Sequence, residues 1–259
     1  RSPRPGRAVW RRTKKRRPPN QPPLPGCKDE LGLPYLPLQR EAQAGVRTVI
    51  VGTTNRGGVL GEGWEPLLVR AMELGMDLAN GLHHRLADIP ALRDTAQRCG
   101  RQIADGRHPT CEFPIGNGIR RPGKRLLTVG TDCSIGKMFA ALAIEKEMRG
   151  RGMKADFRAT GQTGILIAGD GVSIDAVVSD FVSGAVEWLC PANDADHWDV
   201  VEGQGSLFHA SYAGVTLALI HGAQPDALVV CHEPTRPHMR GLPEYKLPDL
   251  KLCIDRNVE

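Results

Sequence analysis

Short apolar, β-branched runs recur along the chain, each followed by a polar, glycine-rich stretch and then by apolar residues at helical spacing. Arg47–Gly52 reads as a buried strand, Trp64–Gly75 as a helix with Leu67, Leu68, Ala71 and Met72 on one face, and Met76–Leu82 as the next strand. Leu86–Cys99 reads as a helix ended by Gly100, and Gln102–Asp105 as a short strand. The pattern resumes after a Gly-, Pro- and Arg-rich segment. Strands are predicted at Leu126–Val129, Lys154–Thr160, Trp198–Glu202 and Ala227–Cys231, and helices from Phe139 to about Arg149, over Ile174–Leu189 and over Tyr212–His221. Gly161–Gly164 reads as a loop, and Thr235–Glu259 carries little pattern. Strand alternating with helix predicts parallel sheets wound on both faces. The expected fold class is therefore α/β, with a Rossmann-like N-terminal domain followed by a second parallel-sheet domain, which the glycine loop Gly130–Met138 marks as P-loop NTPase-like.

Domain organisation follows from composition. Residues 1–30 form a basic, proline-rich tail that buries too little apolar surface to fold alone. Residues 31–105 are the Rossmann-like domain, short at its beginning, 106–124 a linker and 125–259 the second domain. The chain ends at Asn257-Val258-Glu259 without a recognisable closing element, so an incomplete second domain is expected.

Charge changes little. The net charge of +5 comes from the tail, whose first 26 residues hold nine Lys/Arg and no acid; the remaining 233 residues carry 25 basic against 29 acidic groups. A mildly acidic body argues against nucleic acid as a partner. No run of 18 apolar residues exists to span a membrane. The seven cysteines are scattered without a Cys-x-x-Cys pair, which argues against a zinc site or disulfide framework and for reduced thiols in a cytoplasmic protein.

The candidate chemistry begins at Gly130-Thr131-Asp132-Cys133-Ser134-Ile135-Gly136-Lys137-Met138. A strand, a glycine loop ending in Gly-Lys and then a helix is the layout that cradles phosphates with backbone N–H groups, a helix N-terminus and a lysine. Two departures stand out. Five residues, not four, separate the glycines, and Met138 occupies the position of the Ser/Thr whose hydroxyl holds Mg²⁺. Three further strand ends carry polar clusters: Gly161–Gly164, Glu202–Ser206 and His232-Glu233. In a parallel sheet such ends lie along one edge. Glu202 is the first candidate for a general base, or for a metal ligand if ATP with Mg²⁺ is bound; His209 and His232 are the second candidates. A Ser206–His209 pair lacks the Gly-x-Ser-x-Gly elbow. Arg158, Arg236 and Arg240 are candidates for pairing with a substrate carboxylate. Gln162, Thr163 and Gln204 complete the candidate substrate contacts.

Gly130-Thr131-Asp132 with Gly136-Lys137, followed by Val201-Glu202-Gly203-x-Gly205, resembles the dethiobiotin synthetase branch of phosphate-loop proteins. A resemblance to the DUF1611 family covers nearly the whole chain from about Leu31. It rests on Thr128–Met138, Ala159–Ile165, Val201–His209 and His221–Ala227. That resemblance implies a Rossmann-like domain and a phosphate-loop domain. It also implies an activity described for some members, D-glutamate N-acetylation with acetyl-CoA; older labels call members NAD-dependent epimerases. Known members continue beyond the end of this chain. The expected partner is a small amino acid, with the protein as a homo-oligomer. An ATP-dependent ligase or kinase, or a non-catalytic nucleotide-binding module, are the alternatives.

Overall fold

The structure is a computed structural model that describes residues 37–52, 58–61, 63–109 and 111–259. The basic tail and most of the loop after the first strand lie outside the described residues. The chain divides into two compact units, one ending at Arg107 and one running from His108 to Glu259.

The first unit runs α1 (Leu38–Gln43), β1 (Thr48–Val51), α2 (Trp64–Glu73), β2 (Asp77–Asn80), α3 (Pro90–Cys99) and β3 (Ile103–Asp105). Its sheet is parallel in the order β1-β2-β3. Leu68 and Met72 of α2, Leu92 of α3 and Leu78 of β2 close its core. The helix expected from Leu86 is interrupted. Leu86–Asp88 is a single 3-10 turn, and Ile89 is extended because the ring of Pro90 bars the helical region to the residue before it. The proline then opens α3 at the position where its missing N–H costs nothing.

The second unit runs β4 (Lys124–Gly130), α4 (Lys137–Gly150), β5 (Ala155–Arg158), α5 (Gln162–Ala168), α6 (Val182–Leu189), β6 (Trp198–Val201), α7 (Ala213–Ala223), β7 (Ala227–Cys231), β8 (His238–Met239), β9 (Leu242–Lys246) and α8 (Leu250–Val258). Strands β5-β6-β4-β7 form one parallel sheet in that order. β4 is apolar on both faces because both are covered. Leu127 and Val129 pack with Val186 of α6 and Leu219 of α7, and Leu126 packs with Ala141 of α4.

Three expectations differ here. Gly161–Gly164 is not a loop: Gln162 and Thr163 open α5. The helix expected from Ile174 begins at Val182, preceded by two 3-10 turns with Val177 and Val178 extended between them, as β-branched residues prefer. The stretch after Thr235 forms the antiparallel β8–β9 hairpin and then α8, whose Asp249 cap accepts a hydrogen bond from the Leu252 N–H. Of the residues read as a linker, Arg107 donates to the Gly81 carbonyl in the first unit. Asn117 and Gly118 give their N–H groups to the buried Glu187 carboxylate, and Arg121 bonds the carbonyls of Cys190 and Gly222, all in the second.

Candidate active site

β4 delivers the glycine loop to the carboxyl edge of its sheet. The loop turns through Ser134 at φ 52° and Gly136 at φ 97°, and α4 starts at Lys137 with no side chain capping its N-terminus. Uncapped N–H groups at the positive end of a helix are a ready anion seat. Lys137 is buried, and its ammonium donates to the Asp132 carbonyl at 2.7 Å. Burial lowers its pKa from the ordinary lysine value, with Cys133 opposing. Met138 is half-buried and offers no oxygen.

β6 passes close beside this loop. A Cβ on Gly203 would lie 1.5 Å from the Thr128 carbonyl oxygen, so only glycine fits, and the Gly203 N–H donates to the Thr128 hydroxyl at 2.9 Å. The step leaves Glu202 pointing toward the start of α5. The residue is 3% exposed, and its carboxylate accepts from the N–H groups of Thr160 (2.9 Å) and Gly161 (3.1 Å) and from the Gln204 amide (3.2 Å). Burial outweighs these bonds and pushes its pKa up to about 7. Gly164 makes room for it, since a Cβ there would lie 2.1 Å from the carboxylate.

β7 ends at Cys231 and hands His232 to the same edge. Its Nδ1 lies 3.0 Å from the hydroxyl of buried Thr131, and the ring is otherwise exposed. The chain then folds back over the loop. The Arg236 guanidinium reaches Asp132 at 2.6 Å and the carbonyls of Cys133 and Ser134, and the Arg240 N–H donates to Asp132 at 2.8 Å.

Four expected strand-end clusters therefore share one edge: the loop with Lys137, the start of α5 with Gln162 and Thr163, Glu202 with Gln204, and His232. Two candidates are occupied elsewhere. His209 is buried with Nε2 3.1 Å from the Arg240 carbonyl and Nδ1 accepting the Ser211 N–H, so the network uses both ring nitrogens. Arg158 pairs with buried Asp199 at 2.6 Å. The Ser206 hydroxyl accepts from the Phe208 N–H and makes no pair with His209. Thr128, Thr160 and Gly164 hold the site together, a role that the sequence did not assign to them individually, because it depends on neighbours distant in sequence.

The donor set does not suit a cation. Ligand atoms of Asp132, Cys133 and His209 lie within 4.8 Å of one another, but the Asp132 oxygens already accept from Cys133 N–H, Arg236 and Arg240 N–H. Nor does the position after Lys137 offer Mg²⁺ a hydroxyl, since it is Met138, and Glu202 already accepts three hydrogen bonds.

This architecture matches known sequences along nearly its whole length. The family described as "Domain of unknown function (DUF1611_C) P-loop domain" matches residues 114–259. Its companion, "Domain of unknown function (DUF1611_N) Rossmann-like domain", matches residues 26–109. The chain belongs to the DUF1611 family. A DUF1611 protein of known crystal structure, from Anabaena variabilis, superposes with a TM-score of 0.81 at 36% identity, covering 86% of this chain and 66% of its own. Two curated relatives are named D-glutamate N-acetyltransferase. The one from Tritonibacter scottomollicae is 57% identical over 232 residues, and the one from a Pseudoalteromonas species 48% over 233; each alignment covers 90% of this chain and 70% of the relative. Among the described residues, no helix is long and apolar enough to cross a membrane.

Proposed function

We propose that this DUF1611 protein transfers an acetyl group from acetyl-CoA to the amine of D-glutamate. The observation that carries the reading is the 57% identity, over 90% of the chain, to a protein named D-glutamate N-acetyltransferase. The site supports it in a second way. Coenzyme A presents phosphates that need an anion seat but undergo no phosphoryl transfer, so a loop with Met138 in place of a metal-holding hydroxyl is adequate.

In this reading the Gly130–Met138 loop anchors the CoA phosphates and acetyl-CoA supplies the activated thioester. His232 takes the proton from the D-glutamate ammonium. In the tautomer with its proton on Nδ1, that nitrogen donates to the Thr131 hydroxyl and Nε2 carries the free lone pair. The freed amine attacks the thioester carbonyl, a C–N bond forms, the C–S bond breaks, and the sulfur leaves as the thiol with a proton. Glu202, although its pKa is near neutrality, is closed in by three donors. It acts as the strut that fixes the Thr160–Gly161 backbone where Gln162, Thr163 and Gln204 meet the acceptor. Arg158 is committed to Asp199 and Arg236 is fastened to the loop, so neither is assigned to the acceptor carboxylates.

The test is incubation with acetyl-CoA and either D- or L-glutamate, following free thiol, with a parallel ATP–Mg²⁺ arm following ADP. Thiol release that depends on D-glutamate is expected. ADP release without thiol would replace this reading with an ATP-dependent ligase or kinase.

A further inference from the structure

A bound diphosphate brings several negative charges into a small space. In loops that end Gly-Lys-Ser/Thr, a magnesium ion held by the hydroxyl shares in neutralising them. Met138 removes that ligand, and Lys137 is a single ammonium that also holds the Asp132 carbonyl. Arg236 brings a second cation to the loop.

The segment after β7 crosses the loop and fastens there. Arg236 spends three N–H bonds on it: Nη1 donates to Asp132 Oδ2 (2.6 Å) and to the Cys133 carbonyl (2.7 Å), and Nη2 to the Ser134 carbonyl (3.1 Å). A guanidinium has five N–H donors. The Nε–H and one Nη2 hydrogen therefore have no acceptor among the described residues, and the side chain retains 21% exposure. The anchor is rigid. Asp132 is fully buried, and its two oxygens also accept the Cys133 and Arg240 N–H groups. His209 in turn fixes the Arg240 carbonyl. Around the loop, one buried carboxylate thus stands against Lys137, Arg236 and Arg240. All three cations oppose the upward push of burial on the Cys133 thiol.

We infer that Arg236 is a second phosphate-binding cation of this loop, held in place by Asp132, and that its spare N–H donors do the neutralising work of the metal, so that the loop takes diphosphate ligands without Mg²⁺. Asp132 is a positioning residue: it touches the arginine and not the ligand. The inference rests on the proposed function only in naming CoA as the diphosphate.

The experiment is calorimetric titration of the full chain with CoA, inorganic pyrophosphate and ATP, each in EDTA and with Mg²⁺. It uses the unaltered protein, Arg236→Gln, Arg236→Lys and Asp132→Asn, with KM for D-glutamate measured alongside. Unaltered protein is expected to bind CoA as tightly in EDTA as with Mg²⁺, and pyrophosphate likewise. Loss of a charge-assisted fork in Arg236→Gln should weaken both by the same factor, about 10- to 100-fold. Asp132→Asn should weaken both less, and Arg236→Lys should recover part of the loss. If Arg236→Gln fails to fold, Arg236→Lys decides alone, with a several-fold weakening of both ligands expected. Unchanged binding in a folded Arg236→Gln, with a raised KM for D-glutamate, would overturn the inference and turn the arginine toward the acceptor. Binding that appears only with Mg²⁺ would overturn it too. Metal-free binding of ATP and pyrophosphate but not CoA, still lost in Arg236→Gln, would uphold Arg236 and sink CoA as the ligand.

Discussion

Replacing Glu202 by glutamine separates a buried strut from an ordinary carboxylate. Burial raises the pKa of Glu202 from 4.5 to about 7. At about 1.4 kcal/mol per pH unit, keeping it ionised in the folded protein costs about 3 kcal/mol. The direction follows from proton counting. Between pH 4.5 and 7 the folded protein retains a proton that the unfolded chain has released, so rising pH favours unfolding through that window. The group imposes no cost below the window, and its full cost is present above it. Glutamine does not titrate. Its oxygen can accept the Thr160 and Gly161 N–H groups, while its NH₂ forces the Gln204 amide to turn round. That fit sets a constant offset, and the pH-dependent part is independent of it. Urea unfolding of both proteins from pH 4.5 to 8 should therefore show the stability of Glu202→Gln, relative to the unaltered protein, rising by about 3 kcal/mol across the window. A difference that stays constant with pH would mean that Glu202 ionises normally, and the buried-strut reasoning would fail.

The remaining expectations concern the same edge of the sheet. His232→Ala should lower kcat for acetyl transfer by about 10²–10⁴-fold with little change in KM or thermal stability, because the residue is exposed and, among the described residues, its ring hydrogen-bonds to Thr131; unchanged turnover in a steady-state thiol assay removes it as the base. Gly203→Ala places a methyl 1.5 Å from the Thr128 carbonyl and should cost more than about 3 kcal/mol or prevent folding, measured by thermal melting. Thr128→Val keeps the shape but leaves the Gly203 N–H without its acceptor, at about 1–3 kcal/mol in the same measurement.

Much of the second unit could be read from its residues. β4 and β6 carry the apolar pairs Leu126-Leu127 and Val200-Val201 because helices cover both faces of their sheet, and Gly130 with Gly136-Lys137, between a strand and a helix, announces the loop. What stayed hidden depends on partners distant in sequence. Asp132 and Arg236 lie 104 positions apart, and no local pattern joins them. Glu202 reads as a strand-end acid open to ligand, yet Gly164, 38 positions earlier, and the Thr160 and Gly161 N–H groups enclose it. α5 was obscured by its own composition, since Gly-Gln-Thr-Gly carries the chemistry of a turn; the second glycine is there to clear the carboxylate. α8 buries only Cys253 and Asn257, too narrow a stripe to give a helical period.

The central claim is that phosphates are held here for anchoring while the bond that breaks is the thioester. Thiol release from acetyl-CoA in the presence of D-glutamate, measured with and without EDTA, tests it most directly. Equal, D-glutamate-dependent rates in both conditions are predicted. Thiol release that vanishes in EDTA and returns with Mg²⁺, or no release in either, would contradict it.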